Sequence, residues 1–163
     1  MIYVLTATKA EAQAFVDKYK LKNYKNENLT LIITGIGMQK TNKAIQNLKT
    51  KLTKKDIVLN VGICAAPKEI KISSLHKISK VKYQDKTITL FEGDTLLESV
   101  EFALNEEKKH LVDMEAFVIA KELKEYNLHI YKIVSDNFKP NTITKDFAKM
   151  LLFKNIKNIN ELP

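Results

Sequence analysis

Arginine and tryptophan are absent from the 163-residue sequence, and cysteine occurs once, at Cys64. A lone cysteine excludes an internal disulfide and any multi-cysteine metal site. Glycine and proline number four and three, too few for a flexible linker, a low-complexity tract or a repeat built on them. No apolar run approaches the roughly 20 residues of a membrane span, so no membrane partner is expected. The N-terminus (MIYVLT) has neither the basic n-region nor the small-residue cleavage site of a signal peptide, which points to a cytoplasmic protein. The three histidines (His76, His110 and His129) stand singly, without metal-ligand spacing, and neither a metal nor another cofactor is expected. Because arginine is missing, all 27 basic residues are lysines spread along the chain, and the formal charge of +8 lacks the bidentate fork that reads phosphates and guanine edges. No nucleic-acid partner is expected either.

What is present is a globular composition, 45% hydrophobic and 28% charged. A chain of this length makes a single domain, residues 1–163, burying about two-thirds of its unfolded surface. Strand-like and helix-like patterns alternate. Residues 2–6 form a short apolar run, after which Thr8 and Glu11 have the spacing of a capping box for a helix over 9–19. Residues 29–34 (LTLIIT) read as a strand running into Gly35-Ile36-Gly37 and a helix over 39–52. Residues 56–61 (DIVLNV) are apolar but for Asp56 and Asn60, much as a central parallel strand should be, and lead to Gly62-Ile63-Cys64-Ala65-Ala66-Pro67. Residues 72–83 and 86–91 read as two strands joined at Gln84-Asp85, and 98–109 as an amphipathic helix with Val100, Ala103 and Leu104 inward. The stretch LVDMEAFVIAKELKEYNLHIYKIVSDN, 111–137, combines a helix whose stripe is Ala116, Ile119, Ala120 and Leu123 with a strand ending in Ser135-Asp136-Asn137. A last helix starts near Thr144. This alternation predicts a three-layer α/β/α domain with a mixed, mainly parallel sheet. Open α/β sheets bind ligands at the carboxyl ends of their strands, which is where Glu115 and Asp136 fall.

The pairing of Asp-Met-Glu-Ala-x-x-Ile-Ala (113–120) with a following strand that ends in Ser135-Asp136 resembles the nucleoside phosphorylase and nucleosidase superfamily. The likeness is nearest to its 5′-methylthioadenosine/S-adenosylhomocysteine nucleosidase and futalosine hydrolase branch, with the middle of the chain shortened. The resemblance implies roles. Asp136 protonates the leaving base, oriented by Ser135, and Glu11 polarises the attacking water with Lys132 in place of an arginine beside it. Glu115 accepts from the ribose hydroxyls and Met114 packs on the sugar. Gly35 and Gly37 match a Ser-Gly-Ile-Gly segment with Thr34 for the serine, and Gly62 opens a further ligand loop. Glu92-Gly93-Asp94 resembles a Ser-Gly-Asp segment, which makes Leu96 and Leu97 the apolar pair against the base. Two departures stand out: Ile63 replaces a hydroxyl residue, and Ala65-Ala66 replace a pair of glycines.

Cleaving an N-ribosidic bond puts positive charge on the sugar and negative charge on the base, so it needs an acid, an anchor for the hydroxyls and a group to aim water. The expectation is hydrolysis of a purine nucleoside or thionucleoside by a homo-oligomer, a dimer by the family's habit. A phosphate-dependent phosphorylase and a catalytically degenerate nucleoside-binding or interaction protein are the alternatives. Without arginine, and with Ile63 in the loop, phosphate has few partners.

Overall fold

Two long strands are buried on both faces, as strands at the centre of a parallel sheet must be. The computed structural model describes residues 1–163 and arranges the other elements around that pair. In chain order these are β1 (Ile2–Thr6), α1 (Lys9–Tyr19), β2 (Leu29–Ile33), α2 (Met38–Lys49) and the first long strand, β3 (Ile57–Ala65). Then come β4 (Leu75–Lys77), β5 (Lys80–Tyr83), β6 (Lys86–Thr89), β7 (Leu96–Ser99) and β8 (Leu111–Asp113). The chain closes with α3 (Ala116–Leu123), the second long strand β9 (Asn127–Asp136) and α4 (Lys145–Asn155). The sheet runs β2-β1-β3-β8-β7-β5-β6, with β9 against β3 and β4 against β9. Five of the strand pairings are parallel and three, β3–β8, β4–β9 and β5–β6, are antiparallel.

Alternation along β3 and β9 divides the core into two layers. Val58, Cys64, Ile130 and Val134 face α2 and α3, whose Ile45, Leu48, Ile119 and Leu123 complete one cluster. Leu59, Val61, Tyr131 and Ile133 face α1 and α4, packed by Phe15, Leu151 and Leu152. The helices begin where the local chemistry starts them. Thr8 and Glu11 form the expected capping box on α1, and the Thr144 side chain accepts from Phe147 N–H at the start of α4. The layers and the mixed sheet are those expected from the alternation of patterns.

The site is placed by a change of neighbour along β3. One edge of β3 pairs with β9 throughout; the other pairs with β1 over Ile57–Asn60 and with β8 only at Ala65. A crevice therefore opens between the end of β1 and the end of β8. Switch points of this kind are where open α/β sheets hold ligands. Across β3 the register slips between Cys64 and Ala65, so that Ser135 is an extra residue on β9 before Asp136 pairs with Ala65. This bulge re-aims the end of β9 toward the crevice.

Three segments differ from the sequence reading. Residues 98–109 do not form a helix: the chain stays extended through Ser99, paired on both sides by β5 and β8, then runs irregularly to β8. Parallel pairing on both edges outweighs a short helical period, a tertiary override of local propensity. The expected strand over 72–83 is broken at Ile78-Ser79, β4 pairing with β9 while β5 joins β6 and β7. Strand β3 continues past Val61 through Gly62 to Ala65.

Leu97 lies fully buried in the cluster beneath α3. The substitution Leu97→Ala is expected to destabilise the protein by about 2–5 kcal/mol, the usual range for a deleted core leucine. Urea unfolding checks this, and a change within 0.5 kcal/mol would contradict the core assignment.

Candidate active site

Each acid singled out by the sequence is held by backbone donors near the start of a helix or the end of a strand. Glu11, in the first turn of α1, is buried. Its Oε2 accepts from Thr8 N–H at 2.8 Å and Thr8 Oγ–H at 3.0 Å, and its Oε1 accepts from Ile63 N–H at 3.1 Å. The capping partner and the cavity carboxylate are thus one group, tied by one oxygen to its own helix and by the other to β3.

Glu115 precedes the first residue of α3, and its Oε1 accepts from Gly37 N–H at 2.8 Å. Gly37, at φ +88°, occupies backbone space that a side chain would strain, and this turns its N–H toward the carboxylate. Gly35 lies in the same turn, where its carbonyl accepts from the Thr34 and Thr41 hydroxyls. Gly62 matters for closeness: a Cβ there would stand 3.0 Å from Glu11 Oε1 and 3.5 Å from Lys132 Nζ.

Lys132 is the one buried lysine in the protein. Its ammonium lies 2.8 Å from Asp113 Oδ2, with the two side chains 2% and 1% exposed. Burial works to lower the lysine, but the charges of Asp113 and then Glu115, with the Asp113 hydrogen bond and Glu11, hold it above its ordinary value. Glu115 moves the other way: burial first, and the Asp113 charge second, push it up to about 7 against the pull of Lys132 and Gly37 N–H. Asp113 has two further partners: its Oδ1 accepts from Ser99 Oγ–H at 2.6 Å and its Oδ2 from Ala116 N–H at 2.9 Å.

At the end of β9, Asp136 is buried and accepts from Ser135 Oγ–H at 2.7 Å on Oδ1 and from Lys139 N–H at 2.7 Å on Oδ2. Ser135 also lies 3.1 Å from the Cys64 carbonyl, which fixes its hydroxyl at the bulge. A carboxylate offers about four lone-pair positions, so each Asp136 oxygen keeps one free.

These groups surround one cavity of about 290 Å³, near the lower bound of the roughly 300–1,000 Å³ of small-molecule sites. Glu11, Asp113, Met114, Glu115, Ser135 and Asp136 line it, with no lysine or histidine among the lining residues. The apolar wall comes from Ile36, Ile63, Val100, Leu104, Phe138 and Ile143, with other small residues between them. Cys64 also lines it, but burial pushes its thiol far above the usual range, leaving it a small apolar group.

Leu96 and Leu97 are not part of the wall. They form the first half of β7, Leu97 in the core, and Glu92-Gly93-Asp94 precedes that strand instead of following it. The carboxyl end of β7 carries Ser99-Val100-Glu101, and the apolar residues that reach the cavity after it are Val100, Ala103 and Leu104. Of the other expected residues, Lys132 stands behind the wall, while Gly35, Gly37 and Gly62 support it.

Sequence reasoning missed Asp113, Ser99 and Phe138. Asp113 sits three residues before the first residue of α3, the spacing of a side-chain cap, and that signal was legible. Phe138, buried against the cavity at φ +57°, follows no sequence rule; a bulky residue in this conformation is held by its surroundings and is a mark of functional loops.

No family model and no curated protein matches the chain, but solved structures do. The 5′-methylthioadenosine/S-adenosylhomocysteine nucleosidase (MTAN) of Neisseria meningitidis, in complex with methylthio-immucillin-A, aligns with a TM-score of 0.73 at 15% identity, over 97% of this chain and 99% of that one. An MTAN variant from Chlamydia trachomatis, bound to MTA, aligns with a TM-score of 0.73 at 22% identity, over 98% and 97%. The 5′-methylthioadenosine nucleosidase of Arabidopsis thaliana, in apo form, gives 0.70 at 16% identity, over 99% and 96%. The chain has the nucleosidase fold. Identities this low establish the architecture, and the chemistry rests on the residues of this chain.

The raised carboxyl of Glu115 has a sign that stability measurements can check. A folded-state value near 7 against an ordinary 4.5 means the native state holds a proton that the unfolded state releases in that window. The native protein should therefore lose stability relative to Glu115→Gln as pH rises from 5 to 8. Urea titrations of both proteins at each pH measure the difference, and a pH-independent gap would contradict the burial of this charge.

Proposed function

We propose that the protein hydrolyses the N-ribosidic bond of a purine nucleoside or thionucleoside and releases the free base. The observation that carries this reading is the convergence of Glu11, Glu115 and Asp136, with Met114 and Ser135, on one cavity at the strand ends. The nucleosidase fold of the aligned structures supports it. In this reading Asp136 gives its proton to a ring nitrogen of the leaving base as the C1′–N bond breaks, while Ser135 holds the carboxyl in place. Glu115 accepts from the ribose hydroxyls, Met114 packs on the sugar, and Glu11 aims the water that forms the new C1′–O bond and takes the proton this water gives up. Lys132 balances the charge behind Glu11 and Glu115.

Water is favoured over phosphate as the nucleophile. A phosphate would enter a cavity lined by Glu11, Asp113, Glu115 and Asp136 without one cationic side chain in its wall. The single buried ammonium is already paired with Asp113. The apolar wall beyond the acids suits an uncharged base and an uncharged 5′ substituent.

The decisive assay is free-base release from methylthioadenosine, adenosine and futalosine-type nucleosides, with and without phosphate. Release without phosphate is the expected result. Release only with phosphate would make the protein a phosphorylase, and no release from any compound would leave a binding protein. In the active protein Asp136→Asn should lower kcat by roughly 10²–10⁴-fold, the usual worth of general acid catalysis, with ligand affinity retained.

Self-association belongs to the same reading. Phe102 is 76% exposed between cavity-lining Val100 and Ala103, and Ile36, also in the wall, is 54% exposed. Apolar side chains placed this way fit a second copy covering the mouth of the cavity. Light scattering should return a mass above that of one chain, and the monomer mass would count against it.

A further inference from the structure

Asp113 uses both its oxygens, on partners from three different elements. Ser99 ends β7, Ala116 opens α3 and Lys132 belongs to β9. Ser99 Oγ is itself fixed, accepting from Phe117 N–H at 2.9 Å. Neither Asp113 nor Lys132 can turn without breaking a buried bond. A buried ion pair is a poor device for stability alone, since apolar residues of similar volume commonly do as well. Here its ammonium stands beside the acids that face the cavity: a Cβ at Gly62 would lie 3.5 Å from Lys132 Nζ and 3.0 Å from Glu11 Oε1, and the charges of Asp113, Glu115 and Glu11 all act on the ammonium.

We propose that Asp113 is a positioning residue: braced by Ser99 and the start of α3, it fixes the Lys132 ammonium at the junction of Glu11 and Glu115 and so keeps those two carboxylates aimed into the cavity. Glu115 is the sensitive member of the group. It faces Asp113 from β8, Lys132 from β9, Glu11 from α1 and Gly37 N–H from the start of α2. The catalytic half of the inference rests on the nucleosidase reading, whereas the coupling of Asp113 to Glu115 is a property of the protein by itself.

The test compares wild type, Asp113→Asn and Ser99→Ala. The titration of Glu115 is followed by carbon-13 NMR of labelled carboxyls, and base release from methylthioadenosine by rate from pH 5 to 9. Removing the Asp113 charge takes away the second-largest contribution that raises Glu115. In Asp113→Asn the midpoint of Glu115 should move to lower pH, the acidic limb of kcat/KM should move with it, and kcat should fall roughly 100-fold, the scale of a small misplacement of reacting groups. Ser99→Ala removes one brace and no charge; kcat should fall about tenfold with KM little changed. A purely structural Asp113 would lower the unfolding midpoint but leave kcat per folded molecule and the Glu115 titration at their wild-type values, and that result overturns the proposal. Should Asp113→Asn fail to fold, Ser99→Ala decides: wild-type kcat and a wild-type Glu115 midpoint overturn it. If wild type releases no base from any nucleoside, the nucleosidase reading fails, and the NMR titrations still decide whether Asp113 sets the state of Glu115.

Discussion

One buried ammonium among three buried carboxylates is the constraint on which the site depends. Lys132 has Asp113 at 2.8 Å, and Glu11 and Glu115 close enough for their charges to act on it. Charges this deep are tolerated only when paired and hydrogen-bonded. One ammonium cannot neutralise three carboxylates, so the remainder is met in two ways. Backbone N–H groups supply donors: Thr8 and Ile63 to Glu11, Gly37 to Glu115, Ala116 to Asp113. Glu115 in addition retains a proton up to about neutral pH. The starts of α1, α2 and α3 all meet here, and helix N-termini are where carboxylates are stabilised.

That meeting follows from the sheet. Because β3 exchanges β1 for β8 along one edge, the chain leaves β1, β2 and β8 toward helices whose first turns surround the same gap. The bulge at Ser135 then brings Asp136 into the gap from β9. Acids arriving from α1, from the β8–α3 junction and from β9 approach a ligand from separate sides. In the proposed reaction the acid that serves the base and the one that aims water have to be kept apart in this way.

Much of the fold was legible because its signals are local. The Thr8–Glu11 capping box, the apolar runs of β1, β2 and β9, the hairpin at Gln84-Asp85 and the start of α4 at Thr144 each depend on a few adjacent residues, and each stands where those residues put it. The failures came where long-range pairing decides. Residues 98–109 carry a helical period, yet Ser99 is committed to Asp113, fourteen residues away, and the strand before it to β5 and β8. Leu96 and Leu97 looked like ligand contacts because Glu92-Gly93-Asp94 resembles a Ser-Gly-Asp segment, whereas Val100, Ala103 and Leu104 are the residues that reach the cavity. Glu11, Glu115 and Asp136 were legible from their motifs. The ion pair of Lys132 with Asp113 was not, since no spacing in a sequence announces a partner on another strand.

The composition of the chain and that of its cavity are opposite in sign. The molecule carries a formal +8, all of it on lysines, while the cavity wall presents four carboxylates and no cation. The exposed lysines act on the surrounding solution, where salt screens them beyond about 10 Å. Inside the cavity the effective dielectric is lower, and the nearby acids set the potential that a ligand meets. Such an interior repels an anionic nucleophile and favours a partner that develops positive charge, as a ribosyl group does when its base departs. Under the proposed reaction, Glu11, Asp113 and Glu115 are therefore better suited to that transition state than to an anionic co-substrate. This is the physical ground on which the proposed reaction uses water as its nucleophile.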